Sequence, residues 1–422
     1  MKHASILFAA LLGATAVIPG ANAASVLLHD GTIHTGTAAG TIEHGSILIV
    51  DGRIRTIGRD VAAPAGTDVV DLHGRPVTPA LFGGLGELGV IEVSGEHSTD
   101  DSTLKLGEMR PEFDPALAFN PDSVPVAVAR VEGIGFTLLL PGAEAGGKGA
   151  PGSSILPGLA SVATLDGRAP SAPAALDVVL GEDAAALDGG SRAAAYMLFS
   201  QALDEARSGS VAAGDTRLLT PTGRRTLARF VAERRPFLFN LDRAADIRVA
   251  VAFAEREKLR AVIVGGAEAW RVAPLLARAK VPVVLDPFDD LPESFDRIGA
   301  TLENAARLQA AGVEIVFSLR GETPHDVRKL RQAAGNAVAH GLAWDAALAA
   351  VTRTPAELFG AREFGVLAAG MPANLVVWSG DPLEVTSLVT AEWLDGRPQS
   401  LATRQTALRE RYYEKLKSGT AR

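Results

Sequence analysis

The sequence predicts an α/β fold, a (β/α)8 TIM-type barrel joined to a small composite β-sandwich. Short apolar runs alternate with helical patterns through the middle of the chain. Hairpin-like strands lie near its start, and a second strand cluster lies near its end. At 422 residues the chain is long enough for one large barrel with an appendage. Hydrophobic residues make up 47% and mean hydropathy is +0.17, which suits a sizeable buried core rather than disorder.

The first element is residues 1–23. Met1-Lys2-His3 is a short basic start, residues 4–19 are largely apolar and end in Pro19, and Ala21-Asn22-Ala23 offers the small residues that signal peptidase reads. The apolar run falls short of the roughly 20 residues a spanning helix needs. Residues 1–23 therefore read as a cleaved signal peptide. The remainder is expected to be periplasmic or secreted, with no integral membrane segment.

Residues 24–78 read as short strands and tight turns. Val26-Leu27-Leu28-His29-Asp30-Gly31 and Ser46-Ile47-Leu48-Ile49-Val50-Asp51-Gly52 each join an apolar run to an Asp-Gly pair, a hairpin signal. The partner piece, residues 366–402, holds Leu375-Val376-Val377-Trp378 and Glu392-Trp393-Leu394-Asp395-Gly396. Neither piece is large enough to be stable alone, so the two are expected to form one sandwich. Residues 403–422 are expected to form a C-terminal helix or tail.

Between them, residues 79–365 carry the barrel pattern. Strands are predicted at Phe136-Thr137-Leu138-Leu139-Leu140, residues 175–180, Phe237-Leu238-Phe239-Asn240, Ala261-Val262-Ile263-Val264, Val281-Pro282-Val283-Val284-Leu285 and Val313-Glu314-Ile315-Val316-Phe317. Helical patterns intervene, as at residues 242–258 and 301–311. Repeated βα units imply a parallel sheet with helical crossovers. Chemistry in such barrels belongs at the C-terminal strand ends.

Composition narrows the function classes. A net charge of −8 with no Lys/Arg run argues against nucleic acid as a partner. Cysteine is absent, so a metal would have to be held by His or carboxylate. Gly142-Ala143-Glu144-Ala145-Gly146-Gly147-Lys148-Gly149 is Gly-rich, but it runs into Pro151 rather than a helix and reads as a loop over the barrel mouth, not a phosphate loop.

Several stretches resemble the amidohydrolase superfamily, in particular its imidazolonepropionase-like, exported branch. Val77-Thr78-Pro79-Ala80-Leu81 is similar to the lead into the family's first barrel strand. Gly365-Val366-Leu367-Ala368-Ala369-Gly370-Met371-Pro372-Ala373-Asn374-Leu375-Val376 is similar to its return to the sandwich. Gly265-Gly266-Ala267-Glu268-Ala269-Trp270, Leu291-Pro292-Glu293-Ser294-Phe295-Asp296, Ala334-Gly335-Asn336-Ala337-Val338-Ala339-His340-Gly341 and Trp378-Ser379-Gly380-Asp381-Pro382 extend the resemblance over about residues 25–413. It implies metal-assisted hydrolysis of C–N bonds, with zinc or another divalent ion activating water. The ligands would be a His-x-His pair ending the first strand, histidines ending the fifth and sixth, and an Asp ending the eighth.

This chain departs from that pattern at each place. Leu85-Gly86-Glu87 stands where His-x-His is implied, Asn240-Leu241-Asp242 falls at the fifth strand, Gly265 at the sixth, and Arg320 at the eighth. An Arg guanidinium is always charged and repels a cation. Lys148 is not nominated as a carboxylated lysine. The positions Leu85, Glu87, Asn240, Asp242, Gly265 and Arg320 are thus degenerate, and no metal cofactor is expected.

Weak catalytic candidates remain in His325, Asp242 and Glu87. His325 is placed at the start of the helix after the eighth strand. His29, His34, His44 and His73 fall in the sandwich, His97 in a loop after the first strand, and His340 near a helix end. Glu87, Asp242 and Asp286 would offer a carboxylate-only site, but they are expected to pair with Arg243 or Arg320 instead. In that arrangement Arg320 fills the space of the metal and pairs with Glu87 or Asp242. Trp270, Trp344 and Trp393 read as packing residues. The expected function is a metal-free pseudoenzyme that binds a small molecule or partners an active relative, as a homo- or hetero-oligomer. The alternative is a working hydrolase of amide or cyclic amide bonds with a non-standard site.

Overall fold

The computed structural model describes residues 25–146, 151–187, 190–208, 217–319 and 324–417. The expected signal peptide at residues 1–23, and Lys148 and Arg320, lie outside the described residues. The chain opens with β1 (Ser25–His34), β2 (Thr41–Val50), β3 (Arg53–Gly58), β4 (Asp68–Asp71) and β5 (Pro76–Pro79). It continues with β6 (Leu81–Gly86), β7 (Ile134–Leu139), β8 (Leu159–Thr164), β9 (Ala175–Val179), β10 (Pro236–Leu241), β11 (Arg260–Gly265), β12 (Val283–Leu285) and β13 (Ile315–Phe317). It closes with β14 (Leu375–Trp378), β15 (Val389–Leu394) and β16 (Arg397–Pro398), followed by a helix over Arg404–Lys417.

Strands from the two chain ends share one sheet, in the order β16-β15-β14-β5-β1-β2-β3, with β4 beside β1. Their apolar sides meet in one core that holds Leu28, Ile47 and Val77 from the start and Leu375, Val377 and Trp393 from the end. Asp51-Gly52 turns a hairpin as expected, and Asp395-Gly396 turns another. Asp51 and Gly52 have φ of +50° and +76°, and Asp395 and Gly396 have +49° and +70°. Two left-handed residues are the signature of the tight turn that matches strand twist. Asp30-Gly31 does not turn. β1 runs straight through it with a shift of register between Leu28 and Gly31 against β2. A Cβ on Gly31 would stand 2.8 Å from Leu72 Cδ1, so the glycine serves close packing there.

The second sheet runs β6 to β13 in sequence order and forms the barrel. Neighbours β6–β7 and all pairs from β9 to β13 are parallel. β8, which the sequence pattern did not reveal, is antiparallel to both β7 and β9. Its link to β9, residues 165–174, is shorter than the dozen or more residues a parallel crossover needs, and it contains Gly167, Pro170 and Pro173. The barrel seam is drawn together at Ser318, whose Oγ accepts the Leu85 N–H at 2.8 Å. Gly84 (φ +84°) permits this approach, since a Cβ there would lie 2.9 Å from the Ser318 Oγ.

Trp378 joins sheet to barrel. It is fully buried, its indole N–H donates to Thr78 Oγ1 at 2.9 Å, and its ring covers Gly133 of the barrel. No helix among the described residues is long and apolar enough to cross a membrane.

Candidate functional site

Behind the C-terminal ends of β6, β7, β9 and β10 lies a cavity of about 290 Å³. Glu87, Asp177, Asp183 and Asn240 give it polar walls, and Leu140 and Val179 are among its apolar ones. Gly142, Ala143 and Ala145 also line it, so the described part of the Gly-rich loop does border the mouth. Asp177 belongs to β9, where every other residue is apolar and buried. It is 2% exposed. The side-chain amide of Asn240 donates to Asp177 Oδ1 at 2.6 Å and to the Val178 carbonyl at 3.2 Å.

Two of these acids, Glu87 and Asp177, are shifted toward neutrality. Burial pushes the Asp177 carboxyl up to about 7, against the opposing hydrogen bonds from Asn240 and the Val178 backbone. Burial also pushes Glu87 up to about 7, assisted by the charges of Asp100 and Glu144. Glu144 is itself held by Lys105 at 2.6 Å on the rim.

The other half of the mouth is built differently. Asp242, directly after β10, accepts the Ala267 N–H at 3.1 Å through Oδ1 and Arg297 Nε at 3.2 Å through Oδ2. Arg297 also reaches Glu293 at 2.9 Å and Asp289 at 3.6 Å. Nearby, Arg192 bridges Asp296 at 2.5 Å and Asp246 at 3.3 Å, while Arg243 holds Asp246 at 2.7 Å. Carboxylates there are committed to guanidinium groups.

The residues singled out from the sequence divide accordingly. Glu87 and Asn240 share the cavity with Asp177, which sequence reasoning missed. Asp242 is paired with Arg297, and among the described residues Arg243 turns to Asp246 instead. Asp286 accepts the Phe288 N–H at 2.8 Å, a local turn contact. Leu85 lies at the seam, and Gly265 ends β11 with φ +95° and no side chain to offer. His325 is exposed on the 3-10 turn Pro324–Lys329, and His97 is exposed on the turn His97–Thr99. His29 and His44 are exposed on strands of the first sheet, and His73 is exposed in the turn between β4 and β5. His34 packs against Trp344, ring centroids 4.6 Å apart and planes tilted by 45°, and burial lowers its pKa. His340 Nδ1 lies 2.8 Å from the Asn336 carbonyl. Trp270 packs in place, its indole N–H donating to the Gly299 carbonyl at 2.8 Å and Arg307 lying over its ring at 4.3 Å.

Among the described residues no group of three His, Asp or Glu side chains could hold a metal ion. The donor set does not fit the group. Asn240 spends its amide on Asp177, Asp242 is covered by Arg297, and Gly265 has no ligand atom.

Residues 229–403 match the amidohydrolase family. An amidohydrolase from Thermotoga maritima MSB8 superposes with a TM-score of 0.78 at 22% identity, over 89% of this chain and 99% of that one. Atrazine chlorohydrolase from Arthrobacter aurescens TC1, solved in complex with zinc, superposes with a TM-score of 0.53 at 14% identity, over 91% and 98% of the two chains. Amidohydrolase tasK from Hapsidospora irregularis is 43% identical over 61 residues. That segment is 14% of this chain and only 6% of that protein's length.

Proposed function

We propose that this amidohydrolase-superfamily chain, of the imidazolonepropionase-like branch, is an exported, metal-free pseudoenzyme. It binds a small molecule at the barrel mouth, alone or as the non-catalytic partner of an active relative. The observation that carries this reading is the donor set at the mouth, where Asn240 and Gly265 stand at positions the family gives to ligands and Asp242 is bonded to the Arg297 guanidinium. Export would follow from residues 1–23, and the mass of the secreted chain tests it by whether cleavage falls after Ala23.

A second reading draws on the acids beside the cavity. Glu87 and Asp177 are pushed to about 7, where a carboxyl can give or take a proton at neutral pH, which suits hydrolysis of an amide or cyclic amide by a non-standard site. A panel of amides, cyclic amides and dipeptides separates the two, with binding read by thermal shift and turnover by product release, with and without chelator. Binding without turnover is the expected result. Turnover abolished by Asp177→Asn but untouched by chelator would favour the second reading, and turnover abolished by chelator would contradict both.

A further inference from the structure

The opposite end of the barrel carries a cavity of about 410 Å³ that the mouth chemistry does not involve. Arg234, Lys258, Arg260 and Lys280 line it, with Glu255 as the one acid among its described lining. None of these four cations has an ion-pair partner among the described residues. This contrasts with Arg192, Arg243 and Arg297 at the mouth, each bonded to a carboxylate, and it occurs in a chain of net charge −8.

Backbone conformation sharpens the contrast. Arg234, Lys258 and Lys280 have φ of +52°, +57° and +53°, each just past the end of a helix. Glycine or asparagine is the ordinary occupant of that left-handed position, because a Cβ is strained there. Cations near a helix C-terminus can simply answer its dipole. Here that role is already filled, since Pro221–Ala232, Ala244–Glu257 and Ala273–Ala279 carry Arg229, Arg256 and Arg278 in their last turns. Three successive helix-to-strand connections thus add a second cation at a strained position, all facing one cavity, and Arg260 at the start of β11 supplies a fourth.

We infer that this end of the barrel binds a multiply charged oxyanion of the phosphate type, either free or as a lipid headgroup. Clustered guanidinium and ammonium groups without ion-pair partners among the described residues present the complementary charge and donors. Glu255 would oppose the anion at one edge of the site.

Calorimetric titration of the full chain with inorganic pyrophosphate tests this directly. Saturable binding that weakens as salt rises is expected. The double variant Lys258→Gly/Lys280→Gly keeps the fold, because glycine suits both left-handed positions, and its melting temperature should equal or exceed that of the parent. Its affinity should drop by about tenfold or more. Glu255→Gln should instead tighten binding several-fold. Phosphatidylglycerol vesicles assign the source: co-sedimentation that pyrophosphate competes away points to a lipid headgroup, and its absence beside calorimetric binding points to a free anion. Binding to neither probe, or a folded double variant that binds like the parent, would overturn the inference.

Discussion

The two halves of the barrel mouth handle buried carboxyl groups in opposite ways. Beside β6 and β9, Glu87 and Asp177 have no bonded cation among the described residues, and burial pushes both toward neutrality. Beside β10 to β12, Asp242, Asp246 and Asp296 share the guanidinium groups of Arg297, Arg243 and Arg192. A carboxyl taken out of water must either hold its proton or find a paired charge. One barrel end uses both solutions, and among the described residues neither leaves a set of free anionic donors converging on a metal.

The largest expected effect concerns the unpaired half. An acid whose folded pKa exceeds its unfolded value favours the folded state most while protonated in both states. Its contribution is fully present below about pH 4 and is lost as pH rises to about 7. For Asp177 this loss could reach about 4 kcal/mol. Asp177→Asn should flatten the profile, and urea unfolding at acid and neutral pH measures it. An equally steep profile in the variant would remove Asp177 from the comparison.

The paired half should respond to loss of its cation. Arg297→Ala removes the Arg297 guanidinium from Asp242, itself only 7% exposed. Stability should fall by about 3 kcal/mol. Adding Asp242→Asn should recover part of that loss, and a double-mutant cycle by denaturant unfolding gives the coupling. Additive effects would mean the pair contributes little. The smallest effect belongs to the rim, where Lys105→Ala breaks a half-exposed pair with Glu144 and should cost about 0–1 kcal/mol. The same change leaves the Glu144 charge unneutralised, so the Glu87 pKa should move further up in an NMR titration; a downward shift would contradict the assigned cause.

Much of the fold was legible because the barrel strands are apolar runs separated by helical or turn patterns. Phe237-Leu238-Phe239-Asn240 and Ala261-Val262-Ile263-Val264 fall within β10 and β11. β8 was missed because Leu159–Thr164 mixes small residues with Ser and Thr and lacks a helix on either side, so nothing marked it as a barrel unit. Asp30-Gly31 was misread because the local hairpin signal ignores Leu72, which packs over the glycine from a distant strand end.

The site was only half legible. Resemblance led to Glu87, Asn240 and Asp242, residues that follow or end strands. Asp177 carried one overlooked signal, a single acid inside Ala175-Leu176-Asp177-Val178-Val179, a run that otherwise reads as core strand. Arg297 follows directly on a stretch noted for its resemblance, yet its pairing with Asp242 spans 55 residues and depends on how the loops fold over the mouth. Such long-range pairings are set by tertiary structure and leave no local pattern.

Elemental analysis of the purified full chain, expressed in medium supplemented with zinc, manganese and iron, tests the central claim most directly. With Asn240 bonded to Asp177 and Asp242 bonded to Arg297, none of these metals should copurify at a stoichiometric level after dialysis. One tightly held metal ion per chain, lost when Glu87 or Asp242 is replaced, would contradict it.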